Sequence, residues 1–235
     1  MSTPELVTVE RDAAVATVTL NRPEKRNALS LDLRARMTDE LTALAGDDEV
    51  RCILMTGAGS AFCAGMDTSE FGGDRAHKER IVELSIGLFR ALGDFPKPVV
   101  AAINGPAVAG GFAFALLCDL RIASTEARMG FLENRRGIPP SYAAARAALP
   151  AALAAELCLT GRLVDADEAH RLGIVAEVHA PGDLMPRAAA VAGEIAAAPP
   201  SASIETKRRI LIERATCWRP LFDAEEQALR EALLG

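Results

Sequence analysis

Apolar positions along this chain follow two rhythms. The stretches "LVTVERD" (6–12) and "AAVATVTL" (13–20) alternate or run apolar with Val and Thr, predicting two strands of a β-hairpin that turns at Arg11-Asp12. The period then changes. Leu33, Met37, Leu41 and Leu44 fall on one face of "LDLRARMTDELTALAGD", a helix that Ser30 is placed to cap and Gly46 to end. Next come a strand, "VRCILMTG", a loop, "AGSAFCAGMDTSEF", and a helix, "KERIVELSIGLFRALGDF". The strand "PVVAAI", a helix opening near Ala109 and the strand "LRIAS" complete the series. Strands alternating with helices predict βαβ units joined by right-handed crossovers. From about Ala151 the strand signal fades into Ala-rich helical segments, with Pro199-Pro200 as a joint. We therefore expect an α/β core over residues 1–150 and a helical region over 151–235 that packs on the core and on neighbouring subunits.

Between Pro98 and Leu117 the only polar side chain is that of Asn104, a run apolar enough to suggest a membrane helix. The turn formers Asn104-Gly105-Pro106 divide it into a short strand and a helix, so a buried core is the simpler expectation, with no membrane partner. Composition agrees: of 235 residues, 50% are apolar and 25% charged, enough for one large core. The formal charge of -6, with no basic block beyond Lys207-Arg208-Arg209, speaks against a nucleic-acid partner. The N-terminus lacks the charged-then-apolar order of a secretory signal, and the five cysteines form no Cys-x-x-Cys pair, so a cytoplasmic protein with reduced thiols is expected. The three histidines have no zinc-site spacing, and no metal is expected.

Familiar catalytic patterns are missing. Gly57 and Gly59 begin a dinucleotide fingerprint that fails at Phe62, leaving a nicotinamide-dependent oxidoreductase remote. Ser60 has no nucleophile-elbow context, and Cys63, without a nearby His or Lys, reads as a small buried residue. What remains is backbone. "CAGMD" and "AVAGGF" each place a glycine turn after a strand, and a helix starting at Gly110 leaves unpaired N–H groups at its positive end. If Met66 offers its N–H to the same point, the two form an oxyanion hole for a thioester enolate; close helix–sheet packing accounts for these glycines equally well.

Taken in order, "NRPEKRNAL", "GAGSAFCAGMD", "KPVVAAINGPAVAGG", "CDLRIAS", "LTGRLVDADEAHRLGIV" and "PPSASIETKR" resemble the crotonase family, also called the enoyl-CoA hydratase/isomerase family. The resemblance implies a spiral of ββα units with a helical C-terminal trimerisation region, assembled as trimers or pairs of trimers. It implies a coenzyme A thioester as ligand and no cofactor beyond the coenzyme A of the substrate. Matched position by position, the oxyanion donors fall on Met66 and Gly110. Ala28, Ala64, Asp67 and Ala113 fall at substrate-binding positions, and Lys25 and Arg26 suit the coenzyme phosphates, although they also read as solvated surface charges.

The remaining chemistry rests on carboxylates. Hydratases of the family usually carry two glutamates; here the first position is Ala113 and the second is Glu133, in "GFLENRRGIP". Double-bond isomerases of the family commonly keep only the second. Hydration needs one group to orient and deprotonate water and one to deliver a proton, whereas isomerisation needs a single base working between C2 and C4. Glu133 alone thus slightly favours isomerisation of a 3-enoyl-CoA. A glutamate paired with Arg135 or Arg136 on the surface is the plain alternative. The family's glycine-rich loop becomes Pro139-Pro140-Ser141-Tyr142-Ala143, where Tyr142 either narrows the acyl pocket, adds a phenol to it, or simply packs. A member that binds acyl-CoA without turnover is the alternative function.

Overall fold

The computed structural model describes residues 5–234. The chain runs through β1 (Val7–Asp12), β2 (Val15–Leu20), α1 (Leu31–Ala45), β3 (Cys52–Gly57), α2 (Arg75–Gly93), β4 (Val99–Ile103), β5 (Ala107–Val108) and α3 (Gly110–Leu117). It continues through β6 (Leu120–Ser124), β7 (Arg128–Gly130), α4 (Tyr142–Ala148), α5 (Ala151–Thr160), β8 (Val164–Asp165), α6 (Ala166–Arg171) and β9 (Glu177–His179). Three helices close it: α7 (Pro181–Ala197), α8 (Pro200–Cys217) and α9 (Arg219–Leu234).

The main sheet has the order β1-β2-β3-β4-β6-β9, and a small second sheet has the order β5-β7-β8. Only β1 and β2 are antiparallel in the main sheet; the rest join in parallel. The hairpin turn lies at Ala13 and Ala14, two residues beyond the expected position. Arg11 and Asp12 continue the strand opposite Ala16 and Val15, and Ala13 makes the reversal with φ of 47°. Side-chain alternation explains the layering. In β3 and β4, Ile53, Met55, Val99, Ala101 and Ile103 face the core beneath α1, α2 and α3. Their neighbours Cys52, Leu54, Val100 and Ala102 face α7, which covers the other side with Leu184, Ala188 and Val191. Parallel strands buried on both faces have to read as continuous apolar runs, as these do.

Helix α1 follows its sequence signals: Ser30 Oγ accepts from the Leu33 N–H at 3.3 Å, Gly46 ends the helix, and Leu33, Met37, Leu41 and Leu44 are buried. After residue 150 the chain differs from the expectation of helix alone. β8 and β9, two and three residues long, join the two sheets there, too short to produce a period in the sequence.

The last two helices are fixed by charge and aromatic packing. Lys207 on α8, 1% exposed, bonds both oxygens of Asp119 at 2.8 and 2.7 Å, and Arg214 reaches the same carboxylate at 3.3 Å. Asp119 also accepts the Val99 N–H at 2.9 Å, so α8 is tied to the sheet. α9 lies over α2, with Trp218 against Gly93, where even a methyl group would stand 2.3 Å from the indole. Phe222 stacks on Trp218 at 5.0 Å and on Phe89 at 6.4 Å. Replacing Asp119 with Ala leaves two buried cations without a counter-charge. The expected loss is about 3–5 kcal/mol in the free energy of urea unfolding.

Candidate active site

The site is built from backbone first. Asn104, the polar break in the apolar run, donates to the carbonyls of Gly57 and Gly59 at 2.8 and 2.9 Å. Asn27, buried and at φ of 56°, donates to those of Ala58 and Ala61 at 2.9 and 2.8 Å. The loop after β3 is thereby held in one conformation. Its return is paired on both sides: Val108 N donates to the Cys63 carbonyl at 3.0 Å, while Leu29 N donates to Gly65 and Asp67 N to Leu29 at 2.8 and 3.3 Å. Pairing at 65 and 67 leaves the N–H of Met66, between them, with no protein acceptor among the described residues.

Opposite this loop, Ala109 adopts φ 53°, ψ -130° and launches α3. The Gly110 N–H likewise has no protein acceptor among the described residues, as the first turn of a helix requires unless a cap supplies one. A Cβ on Gly111 would lie 2.2 Å from the Cys63 carbonyl oxygen, so hydrogen alone fits there. An ideal Cβ on Gly110 would stand 3.7 Å from the Met66 nitrogen, which brings the two free N–H groups to one wall. An anionic oxygen at that wall would gain two hydrogen bonds and the positive end of α3.

Beneath them opens a cavity of about 400 Å³, its wall shared by residues from α2, α3, the 131–141 segment and α9. Met66, Gly110, Ala64, Ala113 and Glu133 all line it. Glu133 sits on the short 3₁₀ turn Leu132–Arg136. Its Oε2 is buried without a hydrogen-bond partner, and no ion pair among the described residues includes it, Arg135 and Arg136 notwithstanding. Burial pushes its carboxyl up to about 7, against a smaller opposing pull from its own backbone N–H. A carboxyl of that kind exchanges protons readily near neutral pH.

The other residues singled out from the sequence lie outside the lining. Lys25 and Arg26 are exposed on the turn before Asn27; Arg26 receives the Ala64 N–H on its carbonyl at 3.0 Å, which sets it at the cavity's border. Ala28 is 8% exposed and accepts from Arg22 at 3.4 Å. Asp67 is used internally. Burial works against its charge, but hydrogen bonds from Ser69 and the Arg22 guanidinium at 2.5 Å hold it down to about 2. Tyr142 begins α4 and packs against the core, leaving Pro139, Pro140 and Ser141 to shape that side. Burial pushes the Cys63 thiol up to about 12, which rules it out as a thiolate nucleophile near neutral pH.

Sequence reasoning missed the far wall. Ser85, Ile86 and Phe89 come from α2, and Phe222, Glu225, Glu226 and Leu229 from α9. Their recurrence at three- and four-residue steps marks a helix face, but nothing local in the sequence says what that face covers.

Residues 10–219 match the family model described as Enoyl-CoA hydratase/isomerase, and the chain belongs to that family. It is 38% identical over 214 residues to the putative enoyl-CoA hydratase of Thermus thermophilus, covering 88% of this chain and 83% of that one. To the short-chain-enoyl-CoA hydratase of Clostridium acetobutylicum it is 36% identical over 209 residues, 87% of this chain and 80% of the other. Its fold is similar to the crystal structure of an enoyl-CoA hydratase/isomerase from Mycobacterium paratuberculosis, with a TM-score of 0.91 at 27% identity over 100% of this chain and 96% of that one. The α/β spiral with its helical C-terminal region is thus the crotonase fold that the sequence motifs imply.

The raised carboxyl of Glu133 ties stability to pH. The folded chain holds this proton between about pH 4.5 and about pH 7, where the unfolded chain has released it, so stability falls as pH rises through that window. Glu133→Gln removes the dependence. The stability of the variant relative to the parent is expected to rise across the window, measured by urea unfolding on either side of it.

Proposed function

We propose that this chain converts enoyl-CoA thioesters through an enolate, with the Met66 and Gly110 N–H groups holding the thioester oxygen and Glu133 moving the proton. The observation that carries the reading is the buried oxygen of Glu133, without a partner among the described residues, in the same cavity as two backbone N–H groups that likewise find no acceptor there. A binding protein has no need of such a carboxyl, whose desolvation is a standing cost; a proton-transfer catalyst does. The coenzyme would leave the cavity past Ala64, where Lys25 and Arg26 are at hand for its phosphates. No cofactor enters this chemistry. The family resemblance adds trimers or paired trimers, and Ile204 and Ile212, exposed on α8, are apolar surface that a neighbouring copy would cover.

With Ala113 in place of a carboxylate, the groups on α3 and the 3₁₀ turn suffice for moving a double bond. Glu133 takes a proton from C2 of a 3-enoyl thioester, the enolate is held at the N–H pair, and the proton returns at C4. Hydration is the second reading. It is favoured by the relatives named as hydratases and by a further carboxyl in the cavity wall, that of Glu225. Glu133→Gln is expected to lower kcat about 10²–10⁴-fold for whichever enoyl-CoA the parent turns over, with acyl-CoA binding retained. Unchanged turnover would remove Glu133 from this role.

A further inference from the structure

Ala113 leaves the cavity without the carboxylate that α3 carries in hydratases, yet the cavity contains more than one acidic group. Glu225, on α9, lines the same space as Glu133 and Ala113. Burial first, and the charges of Glu133 and Glu225 next, push the Cys158 thiol up to about 12. Their surroundings differ. Glu225 Oε1 accepts the Ala143 N–H at 2.7 Å and its Oε2 accepts from Ser141 Oγ at 2.8 Å, while Glu133 Oε2 has no partner among the described residues. Burial pushes the Glu225 carboxyl up, and its donors, which favour the charged, accepting form, offset that only in part; Glu133, with no donor on Oε2 among the described residues, is pushed up to about 7. Glu226, the other acid of this wall, is already paired with Arg90 at 2.6 Å and Arg230 at 3.0 Å.

We propose that Glu225 is the second carboxylate of the reaction, delivered by the C-terminal helix of the same chain, and that it orients the water added across a 2-enoyl thioester. This rests on the enolate reading above. The water oxygen bonds to C3 as the C2–C3 π pair shifts to give the enolate, whose oxygen is held by the Met66 and Gly110 N–H groups. The proton leaving water passes to Glu133, which delivers it to C2 as the enolate reverts to the thioester. Glu225 accepts a hydrogen bond from the O–H that stays on the product and ends the cycle unchanged. Ser141 and the α4 N-terminus are then the groups that aim it, and the loss at position 113 is offset from α9.

A purely structural role, capping α4, makes a different prediction, and two substrates separate them. The full chain and its Glu225→Gln variant are assayed for hydration of a short 2-enoyl-CoA and for isomerisation of the matching 3-enoyl-CoA, with products resolved by chromatography. The variant keeps an amide oxygen for the Ala143 N–H. Its hydration kcat is expected to fall about 100-fold or more, with isomerisation within about threefold of the parent. Hydration unchanged by the variant overturns the proposal. So does an equal fall in both reactions, or a parent chain that isomerises and does not hydrate. If Glu225→Gln does not fold, Glu225→Asp decides: it keeps the charge but withdraws it, and a fall of about tenfold or more in hydration alone supports the role, while parallel losses overturn it. Glu133→Gln is run alongside. Loss of both reactions there, with none at Glu225, refutes the second carboxylate alone; loss of hydration at Glu225 with full activity in Glu133→Gln refutes the Glu133 reading instead.

Discussion

A side chain at position 111 would put its Cβ 2.2 Å from the Cys63 carbonyl oxygen, and one at position 65 would meet the Ala109 methyl at 2.9 Å. The close approach of α3 to the loop after β3 sets where every other part of the site can lie. It brings the Gly110 and Met66 nitrogens to one wall, and it explains why the segment from Val99 to Leu117 is so poor in reactive side chains. Backbone amides at a helix start require no side chain, only room and a rigid mounting. Asn27 and Asn104 provide the mounting by bonding four loop carbonyls between them. Arg34, wholly buried, fixes the neighbouring strand of the loop by donating to the Leu29 carbonyl at 2.8 Å and to Ser85 at 3.2 Å. Asn27 and Arg34 are polar groups placed in the core, with half-buried Asn104 at its edge, because loop backbone there would otherwise be unsatisfied.

The acids of the cavity and its surroundings illustrate how environment assigns roles to identical groups. Glu133 is buried with one oxygen unpaired and holds its proton to about 7; Asp67, on the loop after β3, is drawn down to about 2 by Ser69 and Arg22. One is free to move a proton and the other is a fixed brace. Desolvation sets the first and hydrogen bonding the second, and both depend on the surroundings that the fold supplies.

The C-terminal helices close this environment. Asp119 binds Lys207 and Arg214, anchoring α8, while Trp218 over Gly93 and Phe222 over Phe89 lay α9 across α2. Without that covering, the cavity would be open along the α2 side and Glu133 better hydrated, with a lower affinity for its proton. The stability of the distant helix–sheet contact and the proton chemistry of the site are therefore linked through the two consecutive C-terminal helices.

Alternation in β1 and β2, the apolar face of α1 with its Ser30 cap and the helix opening at Gly110 are all legible in the sequence, because local backbone preference and side-chain period determine them directly. The ordered motifs carry the family frame, and with it the positions of Met66, Gly110, Ala113 and Glu133. The hairpin turn lies two residues later than its signal because Ala13 carries the positive φ, which alanine does not advertise. β8 and β9 leave no trace in the pattern because two or three residues contain no period. The motif position of Tyr142 leaves open whether it shapes the acyl pocket or simply packs, and α4 packs it against the core. Glu225 is unreadable for a deeper reason. Its spacing shows an amphipathic helix, and only long-range packing decides that this face closes over the chain's own cavity. Sequence alone determined the longer elements and the helix start at Gly110, whose causes are local; tertiary structure decided that the Met66 N–H lies free beside it, which carboxyls share the cavity and how strongly each holds its proton, because burial and through-space contact have no local code.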